Sequence, residues 1–252
     1  PRAPRARCAR PNQGRSVANV RLGTLAIAHY AVSEVNALQR VYIFAAQSVT
    51  GSQDIDAGIM IQRHVLLRSW SSRLFEFHYF LKSKSKKRRP SDTIVSEWID
   101  YCLDEYSNSL DGSFSSLSRT IRNEASSHYD FDAAMKNLSF VSDTANCSLY
   151  LHEKNGNSFF PMGEEVLFMG RFNRSGNSLR TKEEKSDLIN EWMKWNIAAS
   201  QWVKDCHLEL CERTILRNEH DWHAFSIDYE LNDEMASSEN DQRVPLFYEN
   251  ER

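Results

Sequence analysis

The amino-acid sequence predicts an all-α protein, a helical bundle of four to five long helices with a small β-hairpin insertion. Apolar residues recur at steps of three and four positions over several long stretches, as they do along one face of an α-helix. Glycine and proline are few, 9 and 6 among 252 residues, which disfavours an all-β fold with many turns. A chain of this length suits one domain with a sizeable core.

Five helices are expected in order along the chain. Gly51 ends the first, Pro90 separates the second from the third, and Gly112 closes the third, because glycine and proline interrupt helices. From the apolar periodicity we predict helices over residues 21–49, 55–81, 92–110, from about 114 onwards, and 182–216.

Before the last helix the pattern changes. Residues 147–180 are expected to form an insertion with a short hairpin, whose turn would hold Asn155 and Gly156, followed by a loop. We expect a disordered basic arm at residues 1–17, a helical domain that carries the insertion at residues 18–230, and a flexible acidic tail at residues 231–252. An alternative interpretation of the Arg-rich arm is a tail that binds nucleic acid.

Composition and charge argue against several classes of protein. The net charge is −3, so any contact with nucleic acid must come from a local basic patch. No GxGxxG or GxxxxGK(S/T) motif is present, which argues against a dinucleotide or P-loop site. No apolar stretch reaches the roughly 18–20 residues that span a bilayer, and an odd number of cysteines, 5, suits a reducing compartment. We therefore expect a cytoplasmic protein with no membrane contact.

The stretch RNEASSHYDF, which begins at Arg122, places polar side chains where a core helix would have apolar ones. A guanidinium binds a phosphodiester through two hydrogen bonds, and an imidazole moves a proton near neutral pH. Arg122, Asn123 and His128 are therefore candidates for phosphate chemistry. Arg122 and His128 lie about 240° apart on a straight helix. The helix would have to break near Ser126 and Ser127, or the side chains would meet across a subunit interface; the alternative is a solvated helix end.

This stretch resembles the R-N-x4-H signature of the HEPN superfamily (higher eukaryotes and prokaryotes nucleotide-binding domain), in its bacterial ribonuclease and toxin-like branches. The resemblance implies a helical bundle and, in many branches, an endoribonuclease that needs no metal or other cofactor. It implies that Arg122 binds the scissile phosphate, that His128 acts as general base or acid on a ribose 2′-hydroxyl or its leaving group, and that Asn123 positions one of them. Two motifs would form a composite site in a homodimer. A toxin or phage-defence role, with an antitoxin or regulatory protein as partner, is a further implication.

A second candidate is the basic stretch KSKSKKRRP at the end of the second predicted helix. Its cations would guide an RNA backbone to the site, with a steep dependence on salt. An equally open alternative is a solvated helix end, where cations also suit the helix dipole. The predicted RNA-binding residues are the six cations of this stretch, Lys82, Lys84, Lys86, Lys87, Arg88 and Arg89.

Other kinds of catalytic or metal site find less support. Cys206, His207 and Cys211 lie close together in the sequence, as do His220 and His223, but neither group has the usual spacing of zinc ligands. We therefore predict no metal site. A serine-hydrolase GxSxG motif is absent, and the carboxylates are scattered without a distinguishable catalytic pair.

A non-catalytic function is the alternative to an enzyme. The same helical fold could bind a nucleotide or a protein partner without cleaving RNA. Exposure of the three motif residues at a groove or subunit interface would favour the enzyme, whereas burial of each in a pair inside one protomer would favour the binding module. Glu76 and His78, in the second predicted helix, are expected to make a polar contact in or near the core.

Overall fold

The computed structural model describes most of the chain, namely residues 17–45, 50–86, 89–123, 131–154 and 156–215. The predicted arm up to residue 16 and the predicted acidic tail lie outside the described residues. Outside them too are three candidate site residues, Lys87, Arg88 and His128.

The architecture is all-α, as predicted. The helices are α1 Val17–Phe44, α2 Gln53–Lys86, α3 Thr93–Ser109, α4 Ser113–Ile121, α5 Phe131–Leu138, α6 Pro161–Glu164, α7 Gly170–Asn173 and α8 Lys182–Thr214. The π-helical segment Glu165–Met169 joins α6 to α7, and the strands β1 Arg174–Ser175 and β2 Ser178–Leu179 precede α8. Within the described residues, we find no helix that combines the length and the apolar character needed to cross a membrane.

The core lies where α2 packs against α1, α3, α4 and α8. Its largest fully buried side chains include Trp70, Trp98 and Trp192. Trp70 donates its indole N–H to the Ser200 hydroxyl at 2.8 Å, and Trp98 donates to the carbonyl of Cys206 at 2.7 Å. Both of these contacts join helices that are distant in sequence, and they remove the cost of burying an unpaired indole N–H.

Ser118 fixes the orientation of α4 against the bundle. Its fully buried hydroxyl accepts hydrogen bonds from Trp192 Nε1 of α8 and from the hydroxyl of Ser71 of α2, each at 2.9 Å. The side chain of Arg122, four positions after Ser118, also points towards α2 and contacts Glu76 of that helix.

Local sequence explains where the long helices begin. Thr181 and Glu184 form a capping box at the start of α8, in which each side chain accepts a hydrogen bond from the other residue's backbone N–H. Asp92 caps α3 by accepting from the backbone N–H of Val95 at 2.9 Å. Gly51, with φ of +81°, takes the left-handed conformation between α1 and α2. The observed helix bounds lie within a few residues of the predicted ones.

The strands of the insertion lie elsewhere than expected. At the predicted hairpin the described residues form an antiparallel bridge between Tyr150 and Phe159. The paired strands β1 and β2 instead flank Gly176 and Asn177, in the stretch predicted as a loop. Gly176 has φ of +61°, and a left-handed residue in a two-residue connection matches the twist of a hairpin. The Gly-Asn pair was therefore the better turn signal.

Residues 161–173 are helical, which the sequence did not predict. The carbonyl of Val166, in the π-helical segment, accepts a hydrogen bond at 3.0 Å from the amide of Asn137, a buried residue of α5. A Cβ at Gly170 would lie 2.7 Å from the Cβ of Asn137, so this glycine permits the close approach of α5. A short helix interrupted by a π segment does not keep the 3.6-residue period on which the prediction relied.

The stability of the protein is expected to fall in mild acid because of His64. Burial, and then the cations of Arg68 and Arg63, lowers the pKa of this histidine to about 4. Glu164 lies 3.9 Å from its ring, beyond hydrogen-bonding distance, and is held by Arg68. In the unfolded chain a histidine has a pKa of about 6.5, so between these values the unfolded state binds more protons. The free energy of unfolding should therefore decrease as pH falls from about 6.5 to 4, by up to about 3 kcal/mol from this group.

Urea unfolding at pH 7 and at pH 4.5 checks this expectation. His64→Gln should lose less stability than the parent protein over the same pH interval, because the substituted side chain does not titrate. An equal loss in the two proteins would show that other groups cause the pH dependence.

Candidate nucleic-acid interface

A groove between α2, α3 and α4 lies beside the end of α4; we call it the α2–α4 groove. It encloses about 670 Å³, a volume within the range of small-molecule sites. Among the described residues that line it, Asp111 is the single carboxylate. The groove is therefore basic, although the chain has a net charge of −3. Its cations are Lys82, Lys86, Arg119 and Arg122.

Aromatic rings form the apolar part of the groove. Phe75 and Tyr79 of α2 stack with their ring centroids 6.4 Å apart, and Tyr79 is 59% exposed. His78 stacks on Tyr106 of α3 at 3.8 Å, with 10° between the ring planes. Exposed rings beside cations are the combination on which the bases of a single-stranded nucleic acid stack.

Helical spacing places one wall of the groove on α2. Side chains three and four residues apart lie on the same face of a helix. The α2 residues that line the groove follow this spacing and are Phe75, His78, Tyr79, Lys82, Ser85 and Lys86. Arg119, in the last turn of α4, and Arg122, which directly follows α4, also line the groove.

Arg122 is oriented by Glu76 and Asn123. Its Nε and one terminal nitrogen lie 2.7 and 2.6 Å from the same oxygen of Glu76, and its other terminal nitrogen donates to the side-chain oxygen of Asn123 at 3.0 Å. The side chains of Arg122 and Glu76 are 31% and 39% exposed, so the pair is open to solvent. A guanidinium has five N–H donors; these contacts use three and leave two for an anionic ligand.

The backbone is π-helical at the first two residues of the motif. Arg122 and Asn123 follow α4 with π-helical geometry, a local widening that alters the direction of the side chains and is often found at functional sites. The structure describes α4 up to Ile121 and α5 from Phe131. His128 falls between them, outside the described residues.

His78 is uncharged at neutral pH. Burial, and then the ammonium group of Lys82, lowers its pKa to about 4, against the opposing effect of Asp111. The ring stacks on Tyr106 and so contributes an aromatic surface to the groove. Of the two residues expected to make a polar contact, Glu76 does so with Arg122, whereas His78 contacts the ring of Tyr106.

The structure brings together only some of the predicted site residues. Those that line the α2–α4 groove are Arg122, Asn123, Lys82 and Lys86. Lys84 and Arg89 are not among its lining residues. The guanidinium of Arg89 instead binds the carboxylate of Asp100, with contacts of 2.5 and 3.2 Å. The other predicted residues, Lys87, Arg88 and His128, lie outside the described residues.

Sequence reasoning missed Arg119 and Tyr106. The spacing of three residues between Arg119 and Arg122 was an available signal, because it places both on one face of a helix. Tyr106 belongs to the groove because α3 packs beside α2, and no local pattern reveals this contact.

Comparisons with protein-family models, curated proteins and solved structures find no significant match.

Proposed function

We propose that this chain is a metal-independent endoribonuclease of the HEPN type, and that its RNA lies in the α2–α4 groove. One observation carries the proposal: Arg122 and Asn123 line the same groove as three more cations and a set of aromatic rings. A helix end that was merely solvated would not need aromatic rings beside its cations.

In the proposed reaction, Arg122 donates its two remaining N–H groups to the scissile phosphate. The ribose 2′-hydroxyl loses its proton to an imidazole and attacks the adjacent phosphorus. The bond from phosphorus to the 5′-oxygen breaks, and that oxygen takes up a proton. The products are a 2′,3′-cyclic phosphate and a 5′-hydroxyl end, so the step consumes no water and needs no metal.

His128 supplies the imidazole in this proposal. One histidine does not readily serve as base and acid in the same step, so we propose a homodimer in which two motifs form a composite site. The groove cations would neutralise phosphates on either side of the scissile one. The role we propose is that of a cytoplasmic toxin or phage-defence effector, with an antitoxin or other regulatory protein as partner.

A non-catalytic nucleotide-binding module is the second candidate. All three guanidinium nitrogens of Arg122 already have partners within the chain, as expected where an arginine maintains structure. The groove also has a volume suited to one nucleotide. In this case the phosphate and the base would bind as proposed, but no bond would break.

RNA cleavage in the presence of EDTA distinguishes the two candidates. The parent protein is expected to produce cyclic-phosphate ends, and His128→Ala should lose this activity. His152→Ala is the control, because His152 is an exposed histidine of the insertion that does not line the groove. Circular dichroism and light scattering would establish that the variants keep the fold and the oligomeric state of the parent.

Cleavage by His128→Ala at the rate of the parent would contradict the proposed enzyme. Absence of cleavage by the folded parent on several RNA substrates, together with nucleotide binding that Arg122→Ala abolishes, would support the binding module instead.

A further inference from the structure

Three potential metal ligands meet between α1 and α8, two helices that do not line the α2–α4 groove. His29 belongs to α1, and His207 and Cys211 belong to α8. The sulfur of Cys211 lies 3.5 Å from Nε2 of His207 and 4.0 Å from Nε2 of His29. The ligand atoms of the three side chains all lie within 4.8 Å of one another.

Helix geometry accounts for this cluster. His207 and Cys211 are four residues apart, so their side chains project from the same face of α8. That face packs against α1, and α1 presents His29 to it, with the two imidazole rings edge to face at 4.8 Å. The sequence showed only the pair on α8, because His29 is 178 positions before His207 and reaches it through packing alone.

The distances suit a tetrahedral zinc ion. Zinc binds a cysteine sulfur at about 2.3 Å and a histidine nitrogen at about 2.0–2.1 Å. Tetrahedral angles then place sulfur and nitrogen about 3.5 Å apart, and two nitrogens about 3.3 Å apart. The Cys211–His207 pair already has this separation. Rotation of the exposed side chain of His29 would bring its nitrogen closer to the other two ligand atoms.

We propose that His29, His207 and Cys211 bind one Zn²⁺ ion, which links α1 to α8. The donors would be the Nε2 atoms of the two histidines and the thiolate of Cys211, with water in the fourth position. Two imidazoles and one thiolate are ligands that select zinc over magnesium or calcium. The ion would act on stability, and it takes no part in the cleavage reaction proposed above.

Zinc binds a cysteine as the thiolate and a histidine as the neutral imidazole, so these ligands release protons when the ion binds. Zinc affinity is therefore expected to increase with pH.

Cobalt titration of the metal-free protein tests the site directly, since Co²⁺ takes the same tetrahedral geometry and absorbs light. The parent is expected to bind one Co²⁺ per chain, with intense visible bands and a near-ultraviolet sulfur-to-cobalt band, and Zn²⁺ should displace it. Cys211→Ser should remove the sulfur-to-cobalt band. Cys211→Ser and His29→Ala should each weaken metal binding by more than about 100-fold. A loss of this size exceeds the loss expected when a residue that only supports a metal ligand is replaced.

Cys147→Ser is the matched control, because Cys147 is an exposed free cysteine of the insertion. Zinc should raise the melting temperature of the parent and of this control, but not that of His29→Ala. A parent that binds no metal, or a sulfur-to-cobalt band that persists in Cys211→Ser, would overturn the proposal. Because the measurement uses no RNA, its failure would leave the proposed ribonuclease activity unaffected.

Discussion

Replacing Arg122 with alanine is expected to lower the rate of RNA cleavage by about 10²- to 10³-fold. The charge on the phosphate increases in the transition state, and removal of one preorganised donor to such a charge has an effect of this size. Arg122 is preorganised because Glu76 and Asn123 hold its guanidinium at 2.6–3.0 Å. The measurement is single-turnover cleavage of a labelled RNA in EDTA, which isolates the chemical step from product release.

The same substitution should have little effect on stability. The Arg122–Glu76 pair is about one-third exposed, and exposed ion pairs contribute up to about 1 kcal/mol. Arg213→Ala is the matched control: Arg213 binds Glu209 at 2.6 Å with similar exposure, 25% and 27%, but lies away from the groove. Equal losses of activity in Arg122→Ala and Arg213→Ala would show that the loss reflects stability rather than phosphate binding.

Removing the other three cations of the α2–α4 groove is expected to change the salt dependence of RNA binding. Each contact between a cation and a phosphate of a single strand contributes about 0.7 to the slope of log K against log salt concentration. The triple variant Lys82→Ala, Lys86→Ala, Arg119→Ala should therefore reduce the slope by about 2, and weaken binding at 50 mM salt by roughly 100-fold. Fluorescence anisotropy of a labelled single-stranded RNA over a range of salt concentrations measures both quantities.

The matched control removes three exposed lysines outside the groove. Lys136, Lys182 and Lys204 are exposed and do not line the groove, so their replacement changes the net charge by the same amount. If the two triple variants lose equal affinity, RNA responds to the overall charge of the protein and the groove is not its binding site.

The helices of this protein could be predicted because their signals are local. The apolar spacing within α1, α2, α3 and α8 depends only on neighbours three and four residues away. Helix ends are marked by residues such as Thr181 and Gly51, whose effects are also local. The stretch of residues 161–173 was missed for the same reason, since a π-helical segment has no 3.6-residue period.

The candidate site could be predicted only in part. Arg122 and Asn123 form a short motif that the sequence displays directly. Their contact with Glu76 joins residues 46 positions apart, and the contribution of Tyr106 depends on how α3 packs against α2. Within the basic stretch, Lys82 and Lys86 are four residues apart and lie on the face of α2 that lines the groove. Lys84, two residues from each, lies on another face of the helix.

By itself, then, the sequence determined the helical class, the order and approximate bounds of the long helices, and the position of the Arg122–Asn123 motif. Tertiary structure alone decided which faces of these helices meet. It put Arg119, Lys82 and Lys86 in one groove with Arg122, and it brought His29 to Cys211 over 182 positions. The physical reason is that helical periodicity is set by hydrogen bonds between near neighbours, whereas the choice of packing partner depends on burying apolar surface from the whole chain at once.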